Sequence, residues 1–499
     1  MASKNKKPGK TAENLNQKGI IRIDGYLSGI LLAAIAFIPL VVRIKTTYFV
    51  SPSLTAGVFT GLRGETFNNY KFALLVLVAI SLVTLLLAKI VLYRYQIRPS
   101  FINPVLLVLT AVLLLALFLA EYKSIALYGN FERREGTLTF LCYLAIFFVA
   151  ANTRFSQKFF TWLPWALGLV VGVNLILGLA AYTGHDLFNS PTVQALITPS
   201  GMEEHTVAGS LATTLANPNY VSGLFAALFA FFVILGLKAE TTTRKIAYSL
   251  LGIASFVNLV LSQSSSGFAA LAAALPLLAA ILLAGYRPRF TIKTAGIAVA
   301  ALILFLVVLI AFKPLVTQVA ISDSLTILQE MKQHYTQKSP ADNTITHPLE
   351  LPPPGMAPGS GRLYIWSKTI ALIIERPLLG YGMDTLAYHF PQNDPQKQAG
   401  LSTYSILIDK PHNYYLEVAF GAGLTALLSL LVLWGYVLRQ TGRAAFQSPD
   451  HSRLAAALLA FLAVFLLQWL ANDSALGSSL IFWSLLGVAV SASLKDPIT

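Results

Sequence analysis

The sequence predicts an all-α, polytopic membrane protein, and three observations carry that reading. Of its 499 residues 56% are hydrophobic and 12% charged, whereas soluble domains carry about 25% charged residues. Apolar runs of about 17–25 residues, long enough to cross a hydrocarbon core of about 30 Å as a helix, recur along the chain. Lys and Arg are also divided unequally between the segments that join those runs.

Twelve runs qualify, at 26–42, 72–92, 102–120, 138–153, 159–182, 217–237, 244–262, 266–285, 290–312, 413–437, 453–471 and 475–494, the fourth being short. Cytoplasmic loops retain Lys and Arg. With the N-terminal tail inside, inside segments hold 21 Lys and Arg against 5 Asp and Glu, and outside segments 15 against 17. The chain's net charge of +14 is therefore mostly topology. A nucleic-acid-binding reading fails, because the positive charge is spread over short turns and gathers on no single face. The expected division is a basic cytoplasmic tail over 1–25, membrane helices 1–9 over 26–312, an extracytoplasmic loop domain over 313–412 and helices 10–12 over 413–499, with both termini cytoplasmic.

The tail to Lys18 reads as disordered, and the first span, lacking a small-residue cleavage pattern, as a retained helix. Cys142 is the single cysteine, so no intrachain disulfide orders the outer loop. No internal repeat appears, and Leu351-Pro352-Pro353-Pro354-Gly355 reads as a stiff spacer.

The first outer loop, 43–71, suggests no chemistry. The second, 121–137, carries Gly129-Asn130-Phe131-Glu132-Arg133-Arg134-Glu135-Gly136, with two arginines against the orientation rule. Either Glu132 and Glu135 neutralise Arg133 and Arg134 within the loop, or the guanidinium pair binds an anion. The third, about 183–216, has no Lys or Arg; its Glu203, Glu204, His205 and His185 lack the helical spacing of a zinc-hydrolase motif. Asn217-Pro218-Asn219 then enters a span: a cap accounts for Asn217, but an amide at Asn219 needs a partner at membrane depth. Ser264-Ser265-Ser266-Gly267 after the seventh span suits close helix packing.

The large loop, 313–412, is the one long polar excursion in the chain. Apolar positions over 315–337 predict an amphipathic helix, and 361–375 predicts a second, ended by Arg376-Pro377 because Pro disfavours helix in the residue before it. Pro377-Leu378-Leu379-Gly380-Tyr381-Gly382-Met383-Asp384 reads as a tight turn, without the third glycine and βαβ setting of a nucleotide fingerprint. Six of the seven histidines fall outside, at 185, 205, 334, 347, 389 and 412. Only His412, in Pro411-His412-Asn413-Tyr414-Tyr415-Leu416-Glu417, stands at the mouth of a span among packed aromatic and polar neighbours.

Gly361-Arg362 with Trp366, the 377–382 turn, and His412-Asn413-x-Tyr415-Leu416-Glu417 before a Gly-rich span together resemble the signature region of the O-antigen ligase family. Asn217-Pro218-Asn219, the Gly129–Gly136 stretch, and twelve spans with a large loop between the ninth and tenth are similar to further hallmarks of that family. The resemblance implies a GT-C-like membrane glycosyltransferase of the bacterial cytoplasmic (inner) membrane, with an extracytoplasmic active site. It also implies metal-independent transfer, with inversion and no cofactor, of a glycan from an undecaprenyl-diphosphate carrier to an acceptor hydroxyl. Matched residue by residue, the family's loop arginine falls on Arg362 and its histidine on His412. One departure stands out. Many ligases carry an arginine in a Ser-Arg-Gly-like motif after the seventh span, where this chain has Ser264-Ser265-Ser266-Gly267. Arg133, Arg134, Arg376 and Lys410 are the candidates for the missing diphosphate contact.

The chemistry suits these residues. A glycosyl diphosphate brings its own leaving group, and guanidinium donors stabilise the charge that develops on it. The acceptor hydroxyl needs a base, which His412 supplies in its neutral form, and a nearby Arg362 favours that form. Asn413 or Glu417 is the expected neighbour for orienting the ring or the acceptor, with Tyr414, Asn217 and Asn219 also placed in substrate binding. The acceptor is a glycan, a lipid or a protein; in the close alternative the enzyme is a polymerase joining lipid-linked repeat units. A lipid-linked glycan flippase is the reading from a different class. It fits less well, since transporters show repeated halves and mid-membrane polar sites.

Overall fold

The structure, a computed structural model, describes residues 10–52, 60–199, 210–285, 351–447 and 452–493. Its elements follow the apolar runs, because a backbone without water around it must satisfy its hydrogen bonds within its own helix. In chain order they are α1 (Lys10–Phe37), the hairpin β1 (Lys45–Phe49) and β2 (Gly61–Glu65), α2 (Asn69–Tyr93), α3 (Ile102–Leu119), α4 (Lys123–Tyr128), α5 (Thr137–Ala151) and α6 (Gln157–Tyr182). Then come α7 (Pro191–Ile197), α8 (Pro218–Leu237), α9 (Thr242–Leu261), α10 (Ser265–Gly285), α11 (Arg362–Glu375), α12 (Leu386–His389), α13 (Lys397–Leu401), α14 (Tyr414–Gln447), α15 (Ser452–Gln468) and α16 (Leu476–Ser493).

Among the described residues, nine helices are long and apolar enough to cross a membrane, and α5 and most of α15 form two shorter apolar ones. The expected span over 290–312, the expected amphipathic helix over 315–337 and the Glu203-Glu204-His205 stretch lie outside the described residues. Of the two loop helices, 361–375 is observed as α11.

The bundle is layered. α8 and α16 lie at its centre, each with 83% of its most apolar stretch buried, against 28% for α2. α8 packs on α9, α10 and α15, while α16 packs on α5. Outward-facing Leu77, Ile80, Leu87 and Val91 of α2 form a lipid-type surface. Aromatic rings fill the middle: Tyr414 stacks on Trp469 at 4.1 Å, and Trp434, Trp483 and Phe482 close around them.

Two features position the site. First, the 43–71 stretch is more than a linker: β1 and β2 pair antiparallel, Lys45 facing Glu65. The Glu65 carboxylate accepts from the N–H groups of Phe67, Asn68 and Asn69, satisfying donors that the start of α2 leaves free. Second, α14 is broken at Gly423 (φ 80°, ψ 172°). The 377–384 turn fills the break: Tyr381 N–H donates to Phe420 O at 2.9 Å, Gly382 N–H to Gly421 O at 2.8 Å, and Leu424 N–H to Pro377 O at 2.7 Å. A Cβ on Gly423 would sit 2.2 Å from the Leu378 carbonyl, and one on Gly380 2.2 Å from Phe420 O. The glycines therefore let two backbones meet at a helix end. The loop keeps its own small core of Ile365, Ile373, Tyr381, Leu386, Phe390 and neighbours, with no disulfide among the described residues.

Candidate active site at one end of the bundle

His412 precedes the first turn of α14. Asn413 caps that turn, its Oδ1 accepting from the N–H groups of Tyr415 at 3.0 Å and Leu416 at 3.1 Å while its Nδ2 donates to Leu470 O at 2.9 Å. With both ends of its amide engaged, Asn413 belongs to the fold and does not orient the imidazole, contrary to expectation. His412 itself holds φ 52°, in the left-handed region, where a non-glycine residue costs about 1–3 kcal/mol and is found at over-determined, functional places. Asp384 (φ 60°) and Arg134 (φ 58°) share that conformation nearby.

The partner that fixes the ring is Asp473, 61 positions further on: His412 Nδ1 lies 2.7 Å from Asp473 Oδ2. The carboxylate is fully buried and the imidazole side chain 37% exposed. Nδ1–H therefore donates inward, and the lone pair of Nε2 is left for the open side. The Asp473 carboxylate raises the pKa of the ring above its ordinary value, against burial, and the His412 ring holds the Asp473 carboxyl below the usual range despite burial. The expected push of a nearby Arg362 toward the neutral ring is thus outweighed by a carboxylate that the sequence reading did not include.

Arg362 opens α11. Gly361 before it takes φ 83°, and a Cβ there would lie 2.2 Å from Leu401. One turn along, Trp366 Nε1–H donates to Pro411 O at 2.8 Å, which ties α11 to the residue next to His412. Burial lowers the pKa of the Arg362 guanidinium, and the Asp473 carboxylate, the charge it feels in return, pushes it back up. Its Nε is buried without a hydrogen-bond partner among the described residues. The loop arginine and the histidine thus gather around one carboxylate, one with an open lone pair and the other with an unused donor.

The 121–137 loop borders this site, but its charges are not neutralised within it. Arg133 Nε donates to Asp409 Oδ2 at 2.8 Å and its Nη1 to Tyr220 Oη at 3.0 Å. Glu132 pairs with Arg63 at 2.8 Å, and Arg134 Nε donates to Asn69 Oδ1 at 2.7 Å. Glu135 lies 3.5 Å from Lys410. Each of the four charges has a polar partner from elsewhere in the chain, so the loop is a tie between α2, α8 and the 409–417 stretch. Of its two arginines Arg133 stays near the histidine, within the field of Asp473.

Lys410, expected as a diphosphate contact, is turned inward to carboxylates of the protein itself. Its ammonium is buried among Asp384 at 3.1 Å, Glu135 at 3.5 Å and Glu417, with about 1% of the side chain exposed. Asp384 also accepts from Asn130 N–H at 2.7 Å. Three carboxyls outnumber one ammonium, and burial raises the Asp384 and Glu135 pKa values despite Lys410, while those carboxylates hold Lys410 charged against its own burial. Glu417 is consumed in the same cluster.

Other expected contacts also serve the fold. Tyr414 is wholly buried between Phe140 and Trp469. Asn217 caps α8 by accepting from Asn219 N–H at 2.8 Å. Asn219 finds its partner in Ser264, whose hydroxyl donates to it at 2.6 Å, and Ser266 bonds Asn472 at 3.0 Å. A Cβ on Gly267 would lie 2.4 Å from Ser222 O, so the Ser264–Gly267 turn is a packing device. Arg376 is exposed at the far end of α11, over the Tyr381 ring at 4.5 Å, away from the histidine.

Sequence reading missed Asp473. A signal was present: Asn472-Asp473-Ser474 interrupts two apolar runs with an acidic side chain, and ionisable residues at such places are functional by default. No curated protein matches the chain. Residues 250–431, which hold both Arg362 and His412, match the family model described as O-antigen ligase.

Proposed function

We propose that the chain transfers a glycan from an undecaprenyl-diphosphate carrier to an acceptor hydroxyl at the outer face of the bacterial cytoplasmic membrane, as an inverting ligase. The family supports a membrane-bound ligase or polymerase in general. The observation that carries the finer reading is a partly exposed imidazole held through Nδ1 by buried Asp473, whose charge also acts on the Arg362 guanidinium with its unused Nε donor.

In this reading Nε2 takes the proton of the acceptor hydroxyl as its oxygen attacks the anomeric carbon. The bond from that carbon to the diphosphate oxygen breaks, and its electron pair leaves on the phosphate. Asp473 stabilises the imidazolium formed, and its carboxylate keeps the reactive nitrogen pointing outward. Arg362 donates to the departing diphosphate, where a fixed cation in a low-dielectric mouth is worth most. Arg133, already shared by Asp409 and Tyr220, is the second cation near that charge and stands in for the arginine absent from the Ser264–Gly267 turn.

The test is transfer by the purified chain from a defined lipid-linked donor without added metal. Attachment to a lipid or glycan acceptor supports the ligase reading. Growth of the lipid-linked chain itself makes the enzyme a polymerase, and label on a protein makes it a protein glycosyltransferase. Movement of donor across vesicles without transfer, or strict dependence on a divalent ion, overturns the mechanism.

A further inference from the structure

Helix α11 shows two unlike faces. Ile365, Thr369 and Ile373 are buried against the protein. On the opposite side Ile370 and Ile374 are 44% and 71% exposed, and Leu378, just past the helix, is 69% exposed. A polar flank separates the two: Lys368 pairs with Asp394 at 2.8 Å, and Glu375 and Arg376 are exposed. A short helix in water gains nothing from three large exposed aliphatic groups in one line.

The line continues onto a membrane span. Leu424 N–H donates to Pro377 O at 2.7 Å, so Leu378 sits beside the start of the long part of α14. From there Leu424 and Leu428 are 41% and 61% exposed on the outer surface of that span. The part of α14 after the Gly423 break is itself long enough to cross a hydrocarbon core. Its first turn therefore marks the bilayer edge, and α11 lies alongside that edge.

We propose that α11 is an interfacial helix, with Ile370, Ile374 and Leu378 inserted among the acyl chains of the bilayer and Lys368 and Glu375 facing the aqueous side. Its occupant is lipid, because the exposed line is continuous with a lipid-facing span surface and its polar flank has the sidedness of helices that lie in the interface. Insertion sets the height of the whole helix, and with it the height of Arg362 at its N-terminus relative to lipid head groups. A donor whose diphosphate rides at head-group level would meet that guanidinium without leaving the membrane; this last consequence rests on the function proposed above, the insertion does not.

The experiment uses the full chain with Cys142→Ala, carrying Ile374→Cys or Lys368→Cys labelled with an environment-sensitive fluorophore in nanodiscs. Quenching is read from lipids bearing a nitroxide high on the acyl chain and from aqueous iodide. The label at 374 is expected to be quenched severalfold more strongly by nitroxide lipid than the label at 368, with the order reversed for iodide. Ile370→Cys gives a second position should Ile374→Cys fold poorly, judged by elution and melting against the parent chain. Equal iodide quenching at 374 and 368 would overturn the proposal. So would protection of 374 from both reagents, in discs holding one copy (cover by the chain itself) or only in discs holding two (a face between copies). No glycan transfer enters the readout, so either proposal can fail without the other.

Discussion

Lys410 and His412 stand two residues apart, and the protein treats their charges in opposite ways. Lys410 is sealed among three carboxyl groups with essentially no exposed surface. His412 bonds one carboxylate, that of Asp473, and its side chain stays 37% exposed. The first arrangement spends the ammonium on holding the 121–137 loop, the 384 turn and α14 together. The second spends one donor and keeps a lone pair. Burial of charge alone therefore does not single out a site; what sets the proposed one apart is an imidazole that stays partly exposed, with an unused donor at Nε of Arg362.

Mutations should separate the two clusters. The largest expected effect is His412→Ala, with transfer falling about 10²–10⁴-fold, the usual worth of a positioned general base. Arg362→Ala should lose about 10²–10³-fold, as expected for removing one donor to developing negative charge. Both are read as initial rates with a defined donor, and both chains should melt near the parent temperature. A full rate in either variant would remove that residue from the mechanism.

Lys410→Met should break the comparison from the other side. It leaves Asp384, Glu135 and Glu417 without their cation, and breaking a buried pair costs about 3–5 kcal/mol. Thermal unfolding in detergent should show the loss before any assay does, and a chain that melts normally but cannot transfer would instead place Lys410 in the chemistry.

The pH dependence sharpens the same contrast. Asp473 raises the pKa of the His412 ring, so the free base appears only above a value higher than the ordinary one of about 6.5. kcat/KM should rise with pH through that displaced value. Stability should run the other way: the imidazolium–carboxylate pair contributes fully below the unfolded pKa, and its contribution is lost as pH climbs through the folded one. Asp473→Asn should move the acidic limb of the rate profile downward while slowing transfer. An unmoved limb would mean that another group titrates there. The smallest effect is expected at Arg376→Ala, which removes an exposed stacking contact on Tyr381 worth about 0.5–1 kcal/mol and should leave transfer unchanged.

Much of this was legible before any coordinates. Apolar runs announced the spans, and the end of α11 at Arg376-Pro377 followed from proline's effect on its predecessor. Arg362 and His412 were singled out by their motifs. The arginine pair at 133 and 134 read equally well as a self-neutralised loop, yet all four of that loop's charges find partners outside it. Asn413, Tyr414 and Glu417 were drawn toward the substrate by their closeness to His412 in the chain. Helix geometry points each of them elsewhere: to a cap, to an aromatic stack and to Lys410.

By itself the sequence determined which stretches are helical and apolar, and which residue types stand at the ends of those stretches, because hydrophobic length and backbone chemistry are local properties. The tertiary structure alone decided which charges meet. Asp473 reaches His412 across 61 positions and Trp366 reaches Pro411 across 45. An electrostatic partner is chosen by distance in space and by exclusion of water, and neither is written in the spacing of residues along the chain.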